Sequence, residues 1–255
     1  MRYPRLENLL KAALLVGTGL FLYGKLANGT LYNYINEKFM GVTVFGMVGL
    51  IVVGLAYQFR RDLDADPHAH HDHSHHDHGH PGHSHGLSWG GFVLVALPVV
   101  LGLLVPSQPL GVAALDNREV SLSPESSALP ASVQAAAKQV SERDMLDWWR
   151  TFQATTDYNT LNGETATVVG FVYQDPRYSE DYFTAARFVV SCCVADASVI
   201  GLIVQRPAGV KLANDQWVEV HGVFMPSELD NWRPPVLGAQ TVTPIDPPNQ
   251  PYLYP

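Results

Sequence analysis

Hydrophobic and polar positions follow two rhythms along this chain. Through residue 105 the apolar residues gather in long runs; from Thr165 onward they alternate with polar ones at a period of two. A run of about 20 apolar residues makes a helix that can cross a hydrocarbon core of about 30 Å, whereas alternation marks strands with one buried face. Residues 39–59 are 21 positions without a charge, and residues 87–105 are 19 more. Twelve of those 19 are Leu, Val or Phe, which favours insertion by about 4–7 kcal/mol. Both stretches predict spanning helices. The first apolar stretch is strictly uncharged only over residues 12–24, but residues 9–27 reach a spanning length with Lys11 and Lys25 near the ends, where long stems snorkel to the interface. The other reading of this stretch is a signal peptide, and no small-x-small cleavage site follows it.

The runs therefore predict three N-terminal transmembrane helices, at about 9–27, 39–59 and 87–105. Gly17, Gly19, Gly41, Gly46, Gly49 and Gly54 recur inside them, and Ala13 with Gly17 has the small-xxx-small spacing that lets helix backbones approach. Pro98 predicts a kink in the third helix, with Pro106 and Pro109 ending it. Arg2, Arg5, Lys11, Arg60 and Arg61 would lie on one side against Lys25 and Lys38 on the other. The basic excess places the N-terminus in the cytoplasm and everything after Val105 outside it, as a multi-pass protein of a bacterial inner (plasma) membrane. No span carries an ionisable residue at its centre, so the chain is not expected to form a complete ion path alone.

Between the second and third runs lies a loop, residues 62–86, with a dense histidine tract: His68, His70, His71, His73, His75, His76, His78, His80, His83 and His85. Neutral imidazole is a preferred ligand of divalent transition metals, and the interspersed Asp adds oxygen donors. The Gly, Ser and Pro content predicts a loop of many interchangeable sites, suited to gathering a metal such as zinc more than to catalysis. A merely polar loop is the alternative.

Past residue 110 the chain reads as a linker, 111–140, and a soluble β-rich domain, 141–255. Ser141 with Asp144 resembles a capping box for a helix carrying Met145, Trp148, Trp149 and Phe152. The tryptophan pair is either a membrane-interface anchor or packed on the domain that follows. Candidate strands are residues 166–173, 186–195, 199–205, 216–224 and 236–243. Five short strands, with Gly170 and Gly222 inside two of them, predict a small closed OB-like β-barrel, with a sandwich as the alternative. The five prolines of residues 244–255 predict an extended strap.

Residues 187–197 carry the one chemically suggestive motif of this half. Strand alternation would put Phe188, Val190, Cys192 and Val194 on the core face and Arg187, Ser191 and Cys193 on the other, with the thiols pointing apart. A disulfide between the neighbours Cys192 and Cys193 is disfavoured, because their Cα atoms are only about 3.8 Å apart. One reading is plain packing. The other is a thiolate metal site with Cys193 and Asp196 as ligands and His221 as a third.

Charge narrows the class. Residues 1–61 carry a net +5 and residues 62–255 a net −13, so no nucleic-acid partner is expected for the acidic soluble half. Two adjacent cysteines exclude a disulfide scaffold. No Gly-rich phosphate loop, GxSxG or HExxH occurs, and no catalytic residues are expected.

Several stretches together resemble the YcgQ-like family of permease subunits. They are the three runs with the His/Asp-rich loop, Gly102-Leu103-Leu104-Val105-Pro106-Ser107-Gln108-Pro109-Leu110-Gly111, and Gly170-Phe171-Val172-Tyr173. Ser191-Cys192-Cys193-x-Ala195-Asp196-Ala197, Asp215-Gln216-Trp217-Val218 and the Asn249-Gln250-Pro251-Tyr252-Leu253-Tyr254 end complete the set. The resemblance implies a membrane protein that accompanies a larger polytopic permease and is connected with metal supply; it brings no catalytic residues. The expected function is thus an accessory permease subunit in divalent transition-metal transport or homeostasis, with the lipid bilayer and the permease as partners. A free-standing membrane-anchored metal-binding or thiol-redox protein, and a structural envelope protein, stay open.

Overall fold

A computed structural model describes residues 4–63, 89–117, 120–121, 142–229 and 233–255. The chain divides into two compact units, one of Met1–Leu31 with Lys38–Ser107 and one of Tyr32–Glu37 with Gln108–Pro255.

The first unit holds helices α1 (Pro4–Ala27), α2 (Met40–Leu63) and α3 (Trp89–Leu104). Two stretches, Asn8–Ala27 and Glu37–Tyr57, are long and apolar enough to cross a membrane. Only 11% of each is buried, and Phe45 is 81% exposed, so neither is the core helix of a soluble protein. α3 is apolar too, but its 16 residues extend about 24 Å, short of a hydrocarbon core. It contains Pro98 and stops before Pro106, as expected. The helix contact uses other glycines than Ala13/Gly17. A Cβ at Gly19 would lie 2.5 Å from Ile51 Cγ1, and one at Gly54 2.7 Å from Val16 Cγ2, whereas Gly17, Gly41, Gly46 and Gly49 face open space. Close approach of α1 and α2 therefore rests on Gly19 and Gly54.

The second unit is built on a small five-stranded barrel. Its strands are β2 (Thr165–Tyr173), β3 (Tyr182–Val189), β4 (Ser198–Gln205), β5 (Trp217–Met225) and β6 (Val236–Pro244); a two-residue β1 (Val120–Ser121) adds to β4 in parallel. The order β4-β3-β2-β5-β6 closes through a parallel pairing of β6 with β4 at Val204 and Gln205. That is the Greek-key closure of an OB-like barrel, with one parallel seam and four antiparallel ones. Gly170 and Gly222 sit where the closure needs them. A Cβ at Gly170 would meet Ala186 O at 2.7 Å, and one at Gly222 would strike the Gly238 carbonyl beside the β5 bulge at His221/Gly222.

Helix α4 (Met145–Ala154) plugs the barrel. Its cap is Asp144, one turn later than the expected Ser141: Asp144 accepts from Asp147 N–H and Asp147 accepts from Asp144 N–H, at 2.9 and 3.1 Å. Met145, Trp148 and Phe152 enter the barrel core with Val172, Phe183, Val204 and Phe224. Trp148 is fully buried and Trp149 nearly so, which decides the tryptophan pair in favour of packing.

A second apolar cluster lies elsewhere on the same strands and contains Phe171, Phe188, Val190, Val199 and Trp217. The strap of residues 245–255 and the segment of residues 110–115 cover it, with Tyr252, Ile245 and Leu115. The first part of the expected linker is therefore part of the domain. Tyr252 ties the pieces: it accepts from Leu110 N–H at 3.0 Å and donates to Asn33 O at 3.1 Å.

Candidate functional site

Strand β3 ends at Val189, short of the cysteines, so strand alternation does not carry into them. Val189 faces the barrel core while Phe188 and Val190 join the cluster under the strap. The expected assignment of Cys192 and Val194 to a core face does not hold; Cys192 is exposed, and Cys193 and Val194 are half-buried. The ladder is replaced by other partners. Val190 N–H donates to Leu253 O. The next two, of Ser191 and Cys192, donate to Asp196 Oδ1 and Oδ2 at 3.1 and 2.7 Å.

From the opposite side comes Tyr32–Glu37, the connection between α1 and α2. Asn36 N–H donates to Cys192 O at 3.0 Å, Asn36 Nδ2 to Ser191 O at 2.9 Å, and Val194 N–H to Tyr34 O at 3.0 Å. Ile35 bridges Cys193 in antiparallel fashion. Asn36, itself 1% exposed, thereby pairs its own buried amide with the Ser191 and Cys192 carbonyls. Sequence reasoning missed this loop. Its signal was the crowding of Leu31, Tyr32, Tyr34 and Ile35 into a short link between two apolar runs, more apolar surface than a solvated turn needs.

With the backbone held on both sides, the thiols do not point apart. Cys192 Sγ donates to Cys193 Sγ at 3.7 Å, and both are free thiols. The Asp196 carboxylate beside Cys192, with the Cys193 sulfur, pushes the Cys192 thiol up to about 11. Burial works against ionisation of Asp196, but the Cys192 thiol and the N–H groups of residues 191–193 outweigh it and hold the carboxyl below its ordinary range. A thiol reacts as its thiolate. Alkylation of Cys192 in the folded protein is therefore expected to be slow at pH 7 and to keep rising with pH to about 11. Site-resolved mass spectrometry across a pH series checks this, and a rate that levels off below pH 9 contradicts it.

Of the expected ligands, Cys193 and Asp196 share this loop. His221 lies on β5, its Nδ1 3.0 Å from Thr167 Oγ1. Among the described residues no three His, Cys, Asp or Glu side chains gather as a metal site, so the set Cys193, Asp196 and His221 is not assembled there. His68 to His85 lie outside the described residues.

Two family domains match in tandem: the N-terminal domain of DUF1980 over residues 10–121 and its C-terminal domain over residues 124–255. The chain belongs to the DUF1980 family. The boundary between the two DUF1980 domains falls at β1, after the segment that exits α3. A stretch of 94 residues is 26% identical to the UPF0703 protein YcgQ of Bacillus subtilis (strain 168), covering 36% of this chain and 33% of that protein. The match thus spans about a third of the relative's length, in line with the YcgQ-like resemblance of the motifs. No solved structure matches the chain.

Proposed function

We propose that this DUF1980 chain is an accessory subunit of a larger polytopic permease in a bacterial inner membrane, working in the supply of a divalent, zinc-like transition metal. Three spans would dock on the permease, the cytoplasmic histidine tract would gather metal, and the barrel domain outside would meet partner or cargo. The observation that carries this reading is the building of Tyr32–Glu37 into the barrel unit, which ties the link between the first two helices to the domain that follows the third. A helper subunit whose outer domain incorporates the link between its own helices has two chain connections to its membrane part in place of one. The spans lack central ionisable residues, which supports a helper over a self-sufficient transporter. Tagged protein purified from native membranes in mild detergent is expected to bring down a polytopic permease in near-equal amount. Recovery of the chain alone removes the proposal.

The pair of free thiols favours a second reading, a free-standing membrane-anchored metal-binding or redox protein. It predicts no permease in the same pull-down.

A further inference from the structure

The described residues hold two sulfurs side by side on a backbone that is pinned from both flanks. Cys192 N–H is taken by Asp196 and Cys192 O by Asn36; Cys193 O accepts from Asp196 N–H at 3.0 Å, and Val194 N–H is taken by Tyr34. Of the side chains, Cys192 is exposed and Cys193 half-buried. Sulfurs 3.7 Å apart, each about 2.3 Å from a shared ion, subtend about 107° at it, close to the tetrahedral angle. A linear two-coordinate ion with the same bond length would need them about 4.6 Å apart. The spacing fits a tetrahedral thiophilic cation as it stands, whereas a linear one would need the sulfurs to spread.

We propose that Cys192 and Cys193 form a two-sulfur chelate for a tetrahedral thiophilic divalent cation of the zinc type, open at its two remaining positions. Binding breaks two S–H bonds and forms two metal–sulfur bonds, and both protons pass to water. Asp196 is a positioning residue here, its two oxygens holding the Ser191 and Cys192 N–H groups. The same pinning answers the redox hazard of an extracytoplasmic dithiol. An intervening peptide held in place by hydrogen bonds on both sides cannot easily adopt the altered geometry a bridge between neighbours requires. With only two protein ligands, the site is suited to passing metal on; closed four-ligand sites retain it. This deepens the metal-supply reading and rests on it for its purpose, though not for its chemistry.

Cobalt(II) tests the site in the full-length protein, solubilised and reduced, because a thiolate-to-cobalt charge-transfer band reports sulfur ligation and is blind to the ten imidazoles of the tract. The expected result is a near-ultraviolet band with intense visible tetrahedral bands, bleached by zinc and lost in C192S and in C193S. Asn36→Ala is expected to keep the band while weakening affinity by about 10- to 100-fold, as loss of an outer-shell support does. Unchanged near-ultraviolet dichroism shows that the serine variants are folded. A wild-type protein without the band, a band that survives either serine variant, or a purified protein lighter by two hydrogens at Cys192–Cys193 each overturns the proposal. Loss of the permease in the pull-down leaves it standing, so the two readings fail separately.

Discussion

Trp148→Ala is expected to destabilise the barrel domain by about 3–5 kcal/mol, against a total of about 5–15 kcal/mol for a typical domain. Trp148 has no solvent exposure. Its ring meets Phe224 of β5 edge-on at a centroid distance of 4.7 Å, and the Arg143 guanidinium lies 4.9 Å from its centroid. Phe224 also takes Phe152 edge-on at 5.5 Å, so truncation opens a cavity between α4 and the barrel that three aromatic rings now fill. α4 has ten residues, too few to be stable as an isolated helix; its packing is what holds it. Trp148→Phe should cost less because it keeps one ring against Phe224. Lys211→Ala, at an exposed site, should change stability by no more than about 0.5 kcal/mol. Denaturant unfolding of the solubilised protein, followed by tryptophan fluorescence or limited proteolysis, measures all three. A wild-type midpoint in Trp148→Ala would show that α4 does not plug the barrel.

Four of the five strands are legible in the sequence, β4 among them although both its faces are buried. Residues 166–173, 199–205, 216–224 and 236–243 each come within a residue or so of β2, β4, β5 and β6. β3 starts and ends earlier than expected, and both its faces are buried: Phe183 and Ala185 enter the core, while Ala186 and Phe188 lie under the strap. A strand covered on both sides loses its polar–apolar beat, and the apolar run of residues 188–195 drew the reading past the point where Asp196 captures the chain. The cap moved from Ser141 to Asp144 for a related reason, since Asp144 and Asp147 have the spacing of a reciprocal cap without the usual Ser/Thr and Glu/Gln pair. The site was half legible. Cys193 and Asp196 were singled out by type, but the support from Asn36 crosses 155 positions of sequence, and no local pattern encodes a contact of that separation.

Reporters or cysteine labels placed at Arg61 and at the C-terminus are expected to report opposite compartments, the first cytoplasmic and the second not. Tyr32–Glu37 and Gln108–Pro255 share one compact unit, so in the proposed topology the chain between them would cross the bilayer an even number of times. α2, with 24 residues, extends about 36 Å and is fit to cross once. That topology would need a return between residues 64 and 107, and α3 is the apolar helix there among the described residues. Its described turns are short, but the full uncharged run of residues 87–105 would extend about 28 Å as a helix, enough with modest local thinning. The basic flank of Arg60 and Arg61 would then set the cytoplasmic side, because Lys and Arg next to a span favour the cytoplasm. His68 to His85 follow that flank directly and would share its compartment, across the membrane from the Cys192–Cys193 pair. Metal gathered by one could then reach the other only through a conducting partner, which is why a shared compartment for the two labels would undo the division of labour along with the topology.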